Sequence, residues 1–141
     1  MTDTVHAECL CGKVRIACDL PSLKAGHCHC ANCRRAHGAG VWTWVTFKPD
    51  QVRVVQGQDV LRAYTSTTEA VREFCGECGS TLTFASPRWP DTIDITRANF
   101  VESIDREADG HVYADRAPDW CPVTGDMPQF GGPDGSVRLN P

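Results

Sequence analysis

The sequence predicts a mainly β domain, antiparallel and poor in helix. Three observations predict it. Short runs of β-branched and aromatic residues recur, most plainly Val41-Trp42-Thr43-Trp44-Val45-Thr46-Phe47. No segment sustains a 3.6-residue hydrophobic period. Turn residues punctuate the runs at close spacing, and paired cysteines stand beside several of those turns. At 141 residues the chain, 1–141, reads as a single domain long enough to bury a core.

Residues 1–7 carry neither a basic region nor an apolar run. A signal peptide is therefore not expected, and the stretch reads as a disordered or edge N-terminus. Residues 13–18 alternate, with Val14, Ile16 and Cys18 on one face of a half-buried strand. Residues 25–30 read as extended and 31–36 as one helical turn. After the strand at 41–47, Pro49-Asp50 turns the chain into 52–55. Short strands are expected at 60–64, 70–74, 81–84, 92–96 and 111–114. From Pro118 onward prolines accumulate without periodicity, so irregular coil is expected, with 131–141 as an irregular tail.

The net charge of −4 offers nothing to nucleic acid or to an anionic membrane. No stretch approaches the roughly 20 apolar residues of a membrane span. The nine cysteines are odd in number and fall in tight C-x-C and C-x-x-C clusters. In a chain without a secretory leader that pattern reads as metal ligation in the cytoplasm, not as a disulfide framework.

Cys9-x-Cys11-Gly12 and Cys75-x-x-Cys78-Gly79 make four ligands on two glycine-backed knuckles, the donor set of a tetrahedral four-cysteine zinc site. Closing the chain from Cys11 to Cys75 is worth roughly 4 kcal/mol in chain entropy. A redox C-x-x-C pair is the rival reading of the second knuckle, and no thioredoxin-like βαβ pattern surrounds it.

Cys28-His29-Cys30-Ala31-Asn32-Cys33 is different, because it offers three thiols. Alternation in an extended segment puts Cys28 and Cys30 on one face, and His27 and His29 on the other. Two arrangements suit the spacing. His37, four residues after Cys33, would close a site of three cysteines and one histidine; otherwise the three thiols leave a fourth position open, as working zinc sites do. An open tris-thiolate zinc is a weak Lewis acid and suits a soft fourth ligand, a thiol. Arg34 and Arg35 follow directly and would balance the thiolate charge or bind substrate carboxylates; solvated arginines are the plainer alternative.

Taken together, these residues resemble the glutathione-dependent formaldehyde-activating enzyme family, the domain shared with centromere protein V. The likeness runs through Cys9-x-Cys11-Gly12, Cys28-His29-Cys30-x-x-Cys33-Arg34 and Cys75-x-x-Cys78-Gly79. It continues into His111-Val112-Tyr113, Pro118-x-Trp120 and Pro128-Gln129-Phe130. The resemblance implies a zinc-ribbon-like β-tent fold holding two Zn(2+) per chain. It implies a structural zinc on Cys9, Cys11, Cys75 and Cys78, and a catalytic zinc on Cys28, Cys30 and Cys33. It further implies condensation of glutathione with formaldehyde, a carbon–sulfur lyase activity.

Cys18 reads as a small core residue. Cys121 lies outside the family pattern, either by chance or within reach of an open zinc position. The four tryptophans read as core or pocket wall, and His111 as a hydrogen-bonded strand residue more than a base. The expected function is a zinc enzyme joining a small thiol to a carbonyl. The alternative is a non-catalytic zinc module, interaction or chaperone-like, with two structural metals.

Overall fold

A computed structural model describes residues 3–141. In chain order it contains β1 (Thr4–Glu8), β2 (Arg15–Asp19), β3 (Lys24–Cys28), α1 (Ala31–His37), β4 (Trp42–Phe47), β5 (Val52–Gln56) and β6 (Leu61–Thr65). There follow β7 (Val71–Cys75), β8 (Thr81–Ala85), β9 (Ile93–Thr96), β10 (His111–Val112), β11 (Phe130–Gly131) and β12 (Val137–Arg138). The chain groups into two compact units, one running to Lys24 and resuming over Val45–Arg106, the other made of Ala25–Trp44 and Glu107–Pro141. No helix among the described residues is long and apolar enough to cross a membrane.

In the first unit, β1, β2 and β5 form an antiparallel sheet with β2 in the middle. On β1 the side chains of Val5 and Ala7 are buried while Thr4, His6 and Glu8 are half-buried, the alternation of a strand with one face inward. Ile16, Ala17 and Cys18 on the central strand are all buried. The strands β9, β8, β7 and β6 make a second antiparallel run. Leu82, Ile95 and Phe47 are wholly enclosed, and the Phe47 and Phe100 rings lie 6.1 Å apart.

In the second unit, β3 lies beside β10, and the two pair in parallel, His111 opposite His27 and Val112 opposite Cys28. The mainly β fold with antiparallel sheets is as expected, and this parallel pair is an addition to it. A two-residue strand reached by a connection of more than eighty residues leaves no local pattern in the sequence. The helix α1 is short because its ends are set on both sides. Cys30 caps its first turn, and Gly38, in the left-handed region at φ 59°, stops it. Trp42 and Trp44 are buried beside it.

Two expectations change. The chain from 131 to 141 is not irregular coil, since β11 and β12 form a small antiparallel ribbon. Asn140 ties it down, its Oδ1 accepting from the Gln129 N–H at 2.7 Å and its amide donating to the Met127 carbonyl at 3.0 Å. The strand expected at 111–114 ends after Val112, because Tyr113 turns left-handed at φ 51° and a 3-10 turn follows. Within 1–7, residues 4–7 belong to the edge strand β1, whereas Met1 and Thr2 lie outside the described residues.

Candidate metal centres

The first cluster belongs wholly to the first unit. Cys9, Cys11, Cys75 and Cys78 bring their sulfurs within 4.8 Å of one another. The Cys9–Cys11 and Cys11–Cys75 separations are 3.6 and 3.7 Å. Each knuckle is a tight turn: the Gly12 N–H reaches the Cys9 carbonyl at 3.1 Å, and the Gly79 N–H the Cys75 carbonyl at 2.8 Å. Both glycines sit at φ 80°, a conformation a side chain would strain. The Leu10 N–H donates to Ser80 Oγ at 2.9 Å and so joins one knuckle to the other.

The electrostatics of the four sulfurs suit thiolates gathered on a cation. The Cys78 thiol falls to about 5, chiefly through the Ser80 hydroxyl, which lies 3.2 Å from its sulfur. Burial, and to a lesser degree the Cys78 thiol, raise Cys9, but the Val14 N–H at 3.2 Å and the Cys11 and Cys75 thiols outweigh them and lower it overall. Cys11, lowered by the Lys13 amide, is still pushed up to about 11 by desolvation and the sulfurs around it. One divalent ion would remove that mutual opposition, and four soft donors fit zinc.

The second cluster belongs to the second unit. Cys28 ends β3, Cys30 is the N-cap of α1, and Cys33 lies in its first turn. Their sulfurs also lie within 4.8 Å of one another, and no fourth His, Cys, Asp or Glu among the described residues joins them. His37 does not. Its ring stacks on Trp42 at 4.6 Å and 13°. Cys121 does not either, since it packs where a β-carbon on Gly40 would lie 2.5 Å from its sulfur.

Charge is shared unequally among the three thiols. The Cys28 and Cys33 thiols, together with the Cys33 N–H at 3.4 Å, hold Cys30 far below the ordinary thiol range. The same contacts with Cys30 and Cys33, plus burial, push Cys28 far above it. A cation resolves this opposition as well. Three soft donors without a fourth protein ligand fit a metal centre with a place for another ligand.

The two arginines part company. Arg34 is half-buried and its Nε donates to the His29 carbonyl at 3.1 Å, with Nη2 on the Arg116 carbonyl at 3.4 Å. Arg35 is exposed on the helix. The residues between and behind the thiols were the least legible in the sequence. His29, only 2% exposed, places its Nε2 at 2.8 Å from His111 Nδ1, and His27 stacks on the His111 ring at 5.1 Å. Burial first, then the neighbouring His111, His27 and Arg34 charges, lowers His29 to about 4, and burial lowers His111 too. Alternation foretold that His27 and His29 would turn away from the sulfurs. It gave no sign that His111 would meet them there.

Cys18 is wholly buried, and burial, with Asp19 beside it, pushes its thiol up to about 12. It belongs to the core.

Comparison with known proteins agrees with this arrangement. Residues 4–116 match the family described as glutathione-dependent formaldehyde-activating enzyme. A Halomonas elongata protein named "Putative glutathione-dependent formaldehyde-activating enzyme" is 26% identical over 143 residues, covering 94% of this chain and 91% of its own. A protein of Schizosaccharomyces pombe, named an uncharacterized lyase, is 29% identical over 119 residues, covering 81% of each. A crystal structure of a Rhodobacter sphaeroides protein superposes with a TM-score of 0.60 at 28% identity, over 71% of this chain and 90% of that one. This chain belongs to the glutathione-dependent formaldehyde-activating enzyme family.

Proposed function

We propose that this chain is a cytoplasmic, zinc-dependent carbon–sulfur lyase that binds a small thiol, glutathione, and adds it to a carbonyl such as formaldehyde. The observation that carries the proposal is the second cluster, three convergent sulfurs with no fourth protein donor among the described residues. Cys28, Cys30 and Cys33 would hold the working zinc, and Cys9, Cys11, Cys75 and Cys78 a structural one. Zinc bound by three thiolates favours the deprotonated form of a thiol that joins it, and leaves that sulfur nucleophilic.

The addition forms one C–S bond and delivers the thiol proton to the carbonyl oxygen, so no redox partner is needed. The chain's own groups supply order and charge. Cys30 presents its sulfur at the start of α1, where the Cys33 N–H points at it. Arg35, exposed on the same helix, offers a guanidinium to a substrate carboxylate. Arg34 is held on the backbone carbonyls of His29 and Arg116 and steadies the loop between the thiols. The net charge of −4 supports small-molecule partners over nucleic acid or a membrane surface.

The test is optical. In cobalt-loaded protein, added glutathione should intensify the sulfur-to-metal charge-transfer absorption, more strongly at higher pH because binding releases the thiol proton. Cys30→Ser should abolish the response. A wild-type spectrum indifferent to glutathione at every pH would overturn the enzyme reading in favour of two structural metals.

A further inference from the structure

We propose that His29 and His111 are a positioning pair whose ring-to-ring hydrogen bond holds the Cys28/Cys30/Cys33 tripod in the geometry that receives the metal. The inference rests on reading that tripod as a metal centre. It concerns what sets the tripod's shape.

His29 is the single residue between the end of β3 and the N-cap of α1, with a tripod thiol on either side. Its backbone is held twice: the N–H donates to the Val112 carbonyl at 3.1 Å, and the carbonyl accepts from Arg34 Nε at 3.1 Å. These contacts place the peptide. They leave the side chain's rotation about the backbone to the ring, and the ring is fixed by His111 Nδ1 at 2.8 Å.

His111 is itself anchored. Its N–H donates to the Pro128 carbonyl at 2.9 Å, and its strand pairs with β3. The His27 ring stacks on it, and His27 Nδ1 lies 2.7 Å from Thr43 Oγ1. A strut of four side chains, Thr43, His27, His111 and His29, therefore runs behind the thiols within the second unit.

Chemistry gives the strut its meaning. Two neutral imidazoles at this separation share one proton, one ring donating and the other accepting. The bond is directional, whereas an apolar pair would fill the same space without fixing an angle. His29 Nδ1 and His111 Nε2 are enclosed with no hydrogen-bond partner among the described residues, a cost an apolar core would not carry. Retaining two such rings at 2% and 7% exposure is intelligible if orientation is what they supply. Groups that hydrogen-bond a metal's own ligands are worth about 10–100-fold in metal affinity, and this pair, acting through a residue flanked by two tripod thiols, is expected at the low end of that range.

The experiment compares His111→Phe, which keeps a flat aromatic ring and loses the bond, with His111→Asn, whose amide stands near the position of Nδ1. Cobalt affinity and the ligand-field spectrum of the tripod are read as the difference from Cys30→Ser, which keeps only the four-cysteine centre. His111→Phe should weaken cobalt at the tripod by about 10-fold or more and shift its bands, while cobalt at the four-cysteine centre stays unchanged. His111→Asn should return both readouts toward wild type. Wild-type affinity and spectrum in His111→Phe would overturn the proposal, as would His111→Asn behaving like His111→Phe. Should His111→Phe not fold, the double variant His29→Gln with His111→Asn decides. One amide-to-amide bond should preserve the wild-type spectrum, and its loss would overturn the pair's role. A wild-type tripod that takes up no cobalt overturns the metal reading itself, a different failure from an unchanged His111→Phe.

Discussion

Asp94 shows how one side chain can make stability depend on pH. It stands on β9, half-buried, with the Thr46 hydroxyl donating to its Oδ1 at 2.5 Å. Burial raises its carboxyl; Thr46 and the Lys24 charge pull it back, and the balance lies at about 6 against an ordinary 3.8. A carboxyl raised by folding stabilises the folded state fully below its unfolded value. That contribution is lost as pH rises through the folded one. Asp94→Asn keeps an acceptor for Thr46 and removes the ionisation. The variant should gain about 1–3 kcal/mol on wild type between pH 4 and 7, and the gain should level off above. Urea unfolding of both proteins across that range measures it. Zinc release and histidine protonation act on both alike, so a difference that does not vary with pH would refute the assignment.

At the scale of elements, α1 is held by aromatic packing as much as by its caps. His37 stacks on Trp42, and Trp42 and Trp44 lie 6.0 Å apart. Trp44 in turn covers Gly26 on β3 so closely that a β-carbon there would come within 2.6 Å of the indole. Gly26→Ala should therefore cost about 1–3 kcal/mol by overpacking, read as a lowered melting temperature. His37→Ala should cost about 1 kcal/mol of stacking and leave the metal content unchanged. Loss of the second metal in His37→Ala would mean that the imidazole does serve as a ligand. Most strands were legible because β-branched runs and breakers are local signals. β1 was not, since Thr4-Val5-His6-Ala7-Glu8 alternates only small or modest side chains. The parallel β10 and the ribbon of β11 and β12 span two residues each and depend on partners distant in sequence. The cysteines were legible for the opposite reason, because metal ligation needs several donors of one kind at turn spacing. The role of His29 was not, because it depends on His111, 82 positions away.

Across the whole molecule, the two cysteine clusters differ in how much chain a metal on each would close. Cys11 and Cys75 stand 64 positions apart, so a metal on the first cluster joins segments that the unfolded chain would rarely bring together. Closing such a loop is worth roughly 4 kcal/mol in chain entropy, and zinc on four thiolates contributes about 10–16 kcal/mol in small peptides. Either is large beside a net stability of about 5–15 kcal/mol. The second cluster lies within Cys28 to Cys33, where β3 and α1 already place the sulfurs, so a metal there would close almost no loop. The two sites should therefore fail differently. Wild-type protein should contain two zinc ions per chain by elemental analysis. Cys75→Ser should be insoluble or melt without cooperativity. Cys30→Ser should retain one zinc, melt cooperatively within a few degrees of wild type, and lose thiol binding. A soluble, cooperatively melting Cys75→Ser would remove the structural role from the first centre, and a Cys30→Ser that unfolds like it would make both centres structural.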